Sequence, residues 1–125
     1  MPNRAATDGG AAALVWCPFA DVQSAETAAS TLLDEGLIAC ANIMPPMRSL
    51  YRWNGERGEG TETGVLFKTC AHLLERAVAR LEAIHPYDAP AITGWRCDAA
   101  GAATRGWLAQ ELVQVQAQEP ARGAE

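Results

Sequence analysis

Two stretches of this chain carry an apolar residue every three or four positions, and between them lies a long stretch with no such period. The first runs from Asp21 to Gly36 and places Ala25, Ala28, Ala29, Leu32 and Leu33 on one stripe; the second runs from Ala71 to Ile84 and does the same with Leu74, Ala77, Val78, Leu81 and Ile84. That spacing predicts two amphipathic helices, each needing a surface to bury its stripe. Asp21 or Ser24 can cap the first helix by accepting a free backbone N–H. Gly36 suits the position after its last turn, where positive φ is wanted. Pro86 stops the second helix and pushes His85 out of the helical region.

The intervening and flanking segments read as strands. Ala11 to Cys17 is a continuous apolar run bounded by Gly9-Gly10 and Pro18, and Leu37 to Ile43 is a second strand. Pro45-Pro46 interrupts it, because proline donates nothing to a ladder. Alternating β-type residues resume from Ser49 to Trp53. Asn54-Gly55 is a turn signal, since both residues tolerate positive φ, and the stretch from Asn54 to Gly60 reads as a wider hairpin loop. Thr61 to Thr69 is the third strand and Ala91 to Cys97 a fourth, weakened by Gly94. Ala103 to Val113 is a short third helix, with Trp107, Leu108 and Leu112 as its packing residues. The order is β-α-β-β-α-β. It predicts an α+β ferredoxin-like sandwich, a four-stranded antiparallel sheet with helices on one face plus a short C-terminal helix. We divide the chain into a flexible leader (1–10), the folded domain (11–113) and a disordered tail (114–125).

This architecture leaves one sheet face uncovered, and exposed apolar faces need a partner. The span from Leu37 to Trp53 is also too long for its own sheet. At about 3.3 Å per residue it overreaches a domain with a radius of gyration near 14 Å. The segment carrying Leu50, Tyr51 and Trp53 therefore projects as an arm that another subunit would take up.

Charge and motifs remove several function classes. The 125 residues carry a formal net charge of −5 with no basic run, which argues against nucleic acid and anionic membrane surfaces as partners. No apolar stretch reaches the length of about 20 residues that a membrane span needs. Cys17, Cys40, Cys70 and Cys97 are widely spaced without C-x-x-C, so they read as thiols of a cytosolic protein. With two histidines and no nucleophile elbow or phosphate-binding glycine loop, an enzyme is not expected.

Several segments together resemble the CutA divalent-cation-tolerance family: Ala39-Cys40-Ala41-Asn42-Ile43, Ser49-Leu50-Tyr51-Arg52-Trp53-Asn54-Gly55, Glu62 with Phe67-Lys68-Thr69, His85-Pro86-Tyr87-Asp88-Ala89-Pro90, and Trp107-Leu108. The resemblance covers roughly Leu14 to Leu112, in register. It implies a homotrimer similar to PII signalling proteins, tolerance to divalent metals, copper above all, and metal ligation at Cys17, Cys40 and His85. It departs at Ala91, where the family usually has a glutamate, and at Thr104-Arg105-Gly106, where it tends to have tyrosine and leucine.

Those residues carry two expectations. Thiolate and imidazole suit copper and other soft ions. Yet two thiolates on one ion must lie within about 4 Å, and strands two places apart lie about 9.5 Å apart. Cys17 and Cys40 of one chain would then need other subunits to share a metal. Tyr51 and Trp53 share one strand face, as do Glu62 and Lys68 by their even spacing. With Tyr87 they are candidates for a subunit interface or a pocket holding a small-molecule ligand. Glu62 and Lys68 are read as a charge pair or ligand contacts, and His72 as ordinary surface.

Overall fold

The computed structural model describes residues 10–123. Its elements are β1 (Ala12–Phe19), α1 (Val22–Asp34), β2 (Cys40–Trp53), β3 (Glu56–Cys70), α2 (Ala71–Ile84), β4 (Thr93–Arg96) and α3 (Ala102–Gly123). The four strands form one antiparallel sheet in the order β2-β3-β1-β4, the ferredoxin-like arrangement. β1 and β3 are central, and the first and second strands are not neighbours.

Register sorts the sheet residues into two faces, because paired residues point the same way. Ala13, Val15, Cys17 and Phe19 share a face with Thr69, Phe67, Val65 and Thr63, and all eight are buried. Against this face pack the apolar stripes of α1 (Ala25, Ala28, Ala29, Leu32) and α2 (Leu73, Ala77, Leu81). The other face presents Leu14, Trp16, Leu66 and Trp95, and Trp95 is 43% exposed. α3 lies against β3 and β1, with Leu108 and Leu112 buried.

The helix ends follow the local rules. Asp21 caps α1 by accepting the Ser24 N–H at 2.8 Å, a contact worth about 1 kcal/mol. Gly36 takes a positive φ of 71° just past the helix, which glycine does without steric cost.

Four expectations need correction. The first concerns Pro45-Pro46, which does not interrupt β2. The strand runs through both prolines with a register shift between Ile43 and Pro46. β2 is an edge strand, so a missing N–H can face the unpaired side. Pro18 likewise lies inside β1; β4 pairs only as far as Trp16, leaving Pro18 one neighbour. Secondly, there is no wide loop from Asn54 to Gly60. Asn54 (φ 53°) and Gly55 (φ 77°) close a two-residue turn between the pair Trp53 and Glu56, and Glu56–Gly60 is strand. Two positive-φ residues supply the twist that a two-residue hairpin demands.

Thirdly, α3 continues to Gly123, so 114–123 is helix and not disordered tail. Gln114, Gln116, Ala117, Gln118 and Glu119 are good helix formers. Residues 1–9 of the leader and 124–125 of the tail lie outside the described residues. Fourthly, Glu62 and Lys68 are not a charge pair within the subunit. They stand six steps apart along β3, about 20 Å at strand spacing.

β1 ends opposite Thr63, whereas β2 and β3 pair on from Met47 and Glu62 to the turn. The hairpin therefore leaves the sheet as an arm, as its length predicts. Leu50, Tyr51 and Trp53 on it are 64%, 51% and 58% exposed.

Candidate functional site

The site lies where β1 ends and the arm begins. His85 is its hub. Because Pro86 ends α2, His85 adopts extended backbone (φ −65°, ψ 137°), which turns its ring onto the end of β1. The ring stacks on Phe19 with centroids 4.3 Å apart and planes 15° apart. One nitrogen, Nδ1, accepts the Tyr87 N–H at 3.1 Å. The other, Nε2, lies 2.9 Å from the Pro18 carbonyl oxygen. A carbonyl only accepts, so the hydrogen-bond network assigns the proton to Nε2. His85 is thus buried with both ring nitrogens committed.

Tyr87 follows directly. Its ring sits 4.7 Å from that of His85, and its hydroxyl donates to Glu62 Oε2 at 2.9 Å. Desolvation, then the Glu62 carboxylate, push the Tyr87 hydroxyl up to about 12, so it stays a donor at neutral pH. Cys17 donates its thiol to the same Pro18 carbonyl, with Sγ at 3.6 Å. Burial first, and Glu62 second, push its thiol up to about 12. A thiol held in its protonated form is neither nucleophile nor ready metal ligand.

Beside this chain of contacts opens a cleft of about 710 Å3, whose lining includes Pro18, Tyr51, Trp53, Glu62, Tyr87 and Ala91. The arm supplies Tyr51 and Trp53 at alternate positions, hence on one face. Tyr51 lies over Gly58, the residue opposite it: a Cβ there would come within 2.5 Å of the ring. Four of the five residues expected at a pocket or interface (Tyr51, Trp53, Glu62, Tyr87) converge here. Lys68 does not; it pairs with Cys40 and Leu14 at the far end of β3. Ala91 forms part of the wall at the position where the family resemblance leads one to expect a glutamate.

Of the expected metal ligands, Cys17 and His85 meet at the Pro18 carbonyl, but Cys40 does not join them within one subunit. Cys17 shares its register row with Val65 and Ile43, and Cys40 sits three residues from Ile43 along β2. An odd step places the two thiols on opposite faces of the sheet, two strands apart. Cys17 is buried under the helices, and Cys40 is half-buried on the opposite face. Among the described residues, no group of three or more His, Cys, Asp or Glu is placed to hold a metal ion. The donor set of one subunit therefore does not fit a copper ion.

Some site residues escaped the sequence reading. Asp88, Arg52, Ser49 and Thr61 also line the cleft. Their nearness to Tyr87, Trp53 and Glu62 in sequence is the signal that points to them. His72 is exposed, but its Nδ1 lies 3.2 Å from the buried Cys70 Sγ at the start of α2, a contact with no sequence signal beyond the two-residue spacing.

Comparison with known proteins gives a consistent picture. A family model described as CutA1 divalent ion tolerance protein matches residues 13–111. The divalent-cation tolerance protein CutA of Pyrococcus horikoshii is 40% identical over 98 residues, covering 78% of this chain and 95% of that protein. Its counterpart in Thermus thermophilus is 42% identical over 79 residues, covering 63% and 75%. Among solved structures, the divalent ion tolerance protein CutA1 of Ehrlichia chaffeensis matches with a TM-score of 0.77 at 31% identity, covering 82% of this chain and 95% of that one.

Proposed function

The chain belongs to the CutA1 divalent ion tolerance family, and we propose that it serves divalent-cation tolerance as a homotrimeric binding protein whose arm cleft holds a small-molecule ligand, in the manner of PII-like sensors. One observation carries this reading: Tyr51, Trp53, Glu62 and Tyr87 converge on one cleft, while Cys40 stands apart from Cys17 and His85, two of the three expected metal ligands. Its volume of about 710 Å3 falls in the range of small-molecule sites, and mixed aromatic and charged walls are typical of them. The exposed Trp95 on the sheet face away from α1 and α2, together with the exposed arm, supports self-assembly. The absence of an activated nucleophile in the sequence motifs supports binding over catalysis. Four free thiols suit a cytoplasmic setting.

The test is a thermal-shift screen of metabolites on the full chain. A ligand of the native state at about a hundred times its Kd adds about 2.7 kcal/mol of stability. The expected result is a rise in melting temperature that Trp53→Leu abolishes. A screen with no shift in the wild-type protein would sink the reading.

A second reading has its own support. Cys40 is half-buried on the sheet face away from α1 and α2; where copies of the chain meet there, copper as cargo would be held by thiols from several subunits. Anaerobic copper titration against a chelator tests it. Binding lost in Cys40→Ser is the expected result, and no binding above background would end it.

A further inference from the structure

The chemistry of the cleft walls narrows the ligand class. Three aromatic rings border the cleft: Tyr51 and Trp53 from the arm, Tyr87 from the segment after α2. Within one subunit both arm rings are at least half exposed, and Tyr51 has one ring face against Gly58. Two carboxylates, Glu62 and Asp88, share the lining with one cationic side chain, Arg52. The Arg52 guanidinium is turned to the hairpin tip, with Nη1 3.4 Å from the Gly55 carbonyl oxygen. Glu62 accepts the Tyr87 hydroxyl on Oε2; its Oε1 takes no hydrogen bond among the described residues.

These groups discriminate by charge. An anionic guest needs clustered positive charge, and among the lining side chains Arg52 alone carries it, turned to the hairpin tip. Lys68 lies about 20 Å along β3 from Glu62, and both nitrogens of His85 are committed. A cation meets the opposite situation. Ring faces carry negative electrostatic potential and attract ammonium groups, and a carboxylate beside them supplies the counter-charge at reduced dielectric. The Tyr87 hydroxyl, held protonated by its surroundings, fixes the Glu62 carboxylate without adding a negative charge of its own.

We infer that the cleft takes a small organic cation, an alkylammonium head seated against Tyr51, Trp53 and Tyr87 with Glu62 as its counter-charge. The inference rests on reading the cleft as a ligand site and adds the charge class of the guest. Isothermal titration of the full chain with choline chloride tests it, beside 3,3-dimethylbutan-1-ol, which keeps the shape of choline without its charge, and sodium acetate as an anion. Choline is expected to saturate one site per chain. Glu62→Gln keeps an acceptor for Tyr87 and removes the charge, so it should weaken choline about tenfold, with a similar loss in Trp53→Leu. Circular dichroism checks that both variants are folded.

Equal affinity for the uncharged isostere, unchanged affinity in Glu62→Gln, or no heat with choline would each overturn the inference. The cleft reading survives such a failure if the metabolite screen yields a neutral or anionic compound whose shift Trp53→Leu removes. If that screen is also blank, both fall together.

Discussion

β3 is one strand with two kinds of surroundings. From Thr63 to Lys68 it lies between β1 and β2, and Val65 and Phe67 are fully buried under α1 and α2. From Glu56 to Glu62 it has β2 alone for a neighbour, and most of its side chains meet solvent. The residues change to match: Val-Leu-Phe in the base, Glu-Arg-Gly-Glu-Gly-Thr-Glu in the arm. The difference separates two duties along one piece of backbone. The base supplies the burial that holds the subunit together. The arm contributes little to that burial, so its aromatic and charged groups are free to serve an interface or a ligand. Exposed aromatics on an arm are a cost to an isolated subunit and an asset once something covers them.

The sharpest way to break this contrast is to truncate one ring in each half. Phe67→Ala, in the base, should cost about 3–5 kcal/mol of unfolding free energy in a urea titration, because it opens a cavity in a closed core. Trp53→Ala, in the arm, should leave subunit stability within about 0.5 kcal/mol while shifting the oligomer towards smaller species in sedimentation velocity. Comparable losses of stability in the two variants would refute the division.

His85 sharpens the boundary between the halves. Removing its ring in His85→Ala orphans the Tyr87 N–H, exposes the Phe19 face and deletes the bond to Pro18, a change expected to cost about 1–3 kcal/mol by denaturation. It should also loosen Tyr87 from Glu62, which ligand titration would read as a weaker cleft. If His85 acted only as a core residue, stability would fall and cleft affinity would hold.

Alkaline pH probes the same boundary without mutation. The folded state raises the Cys17 thiol from 9.0 to about 12 and the Tyr87 hydroxyl from 10.0 to about 12. Both groups therefore favour folding in their neutral forms. That stability is full below pH 9 and is lost as pH rises from 9 towards 12. Denaturation midpoints across this window should fall, and fall less steeply in Cys17→Ala. A thiol reagent at pH 8 should modify Cys17 only on unfolding. Smaller still is Asp21→Ala, which removes the α1 cap far from the arm. It should cost about 1 kcal/mol and leave cleft binding unchanged.

Local chemistry made much of this molecule legible. The two helical stripes (save Leu33, which is 45% exposed), the Asp21 cap, Gly36 at positive φ and the Asn54-Gly55 turn follow from side-chain rules that act over a few residues. Tyr51, Trp53, Glu62 and Tyr87 were readable because the arm's excess length and the family motifs both single them out. What escaped depends on who sits next to whom across the sheet. Whether Pro18 or Pro45 breaks a strand is decided by the presence of a neighbour on its N–H side. Even spacing puts Glu62 and Lys68 on one face but says nothing of the distance between them. His85 follows the rule for a histidine after a helix, yet its acceptor is the carbonyl of Pro18, 67 residues earlier. The opposite facing of Cys17 and Cys40 needed the register of three strands.

The prolines of β2 also bear on aggregation. An edge strand offers a row of backbone donors and acceptors that any extended chain can zip onto, the route by which sheets grow into fibrils. At Pro45-Pro46 the strand is short of N–H donors, and the register shift beside them bends it. A strand arriving from a stray molecule would find its ladder cut there after a few rungs. The protein can carry a long, aromatic-bearing edge into solvent because that edge is too broken to seed an endless one.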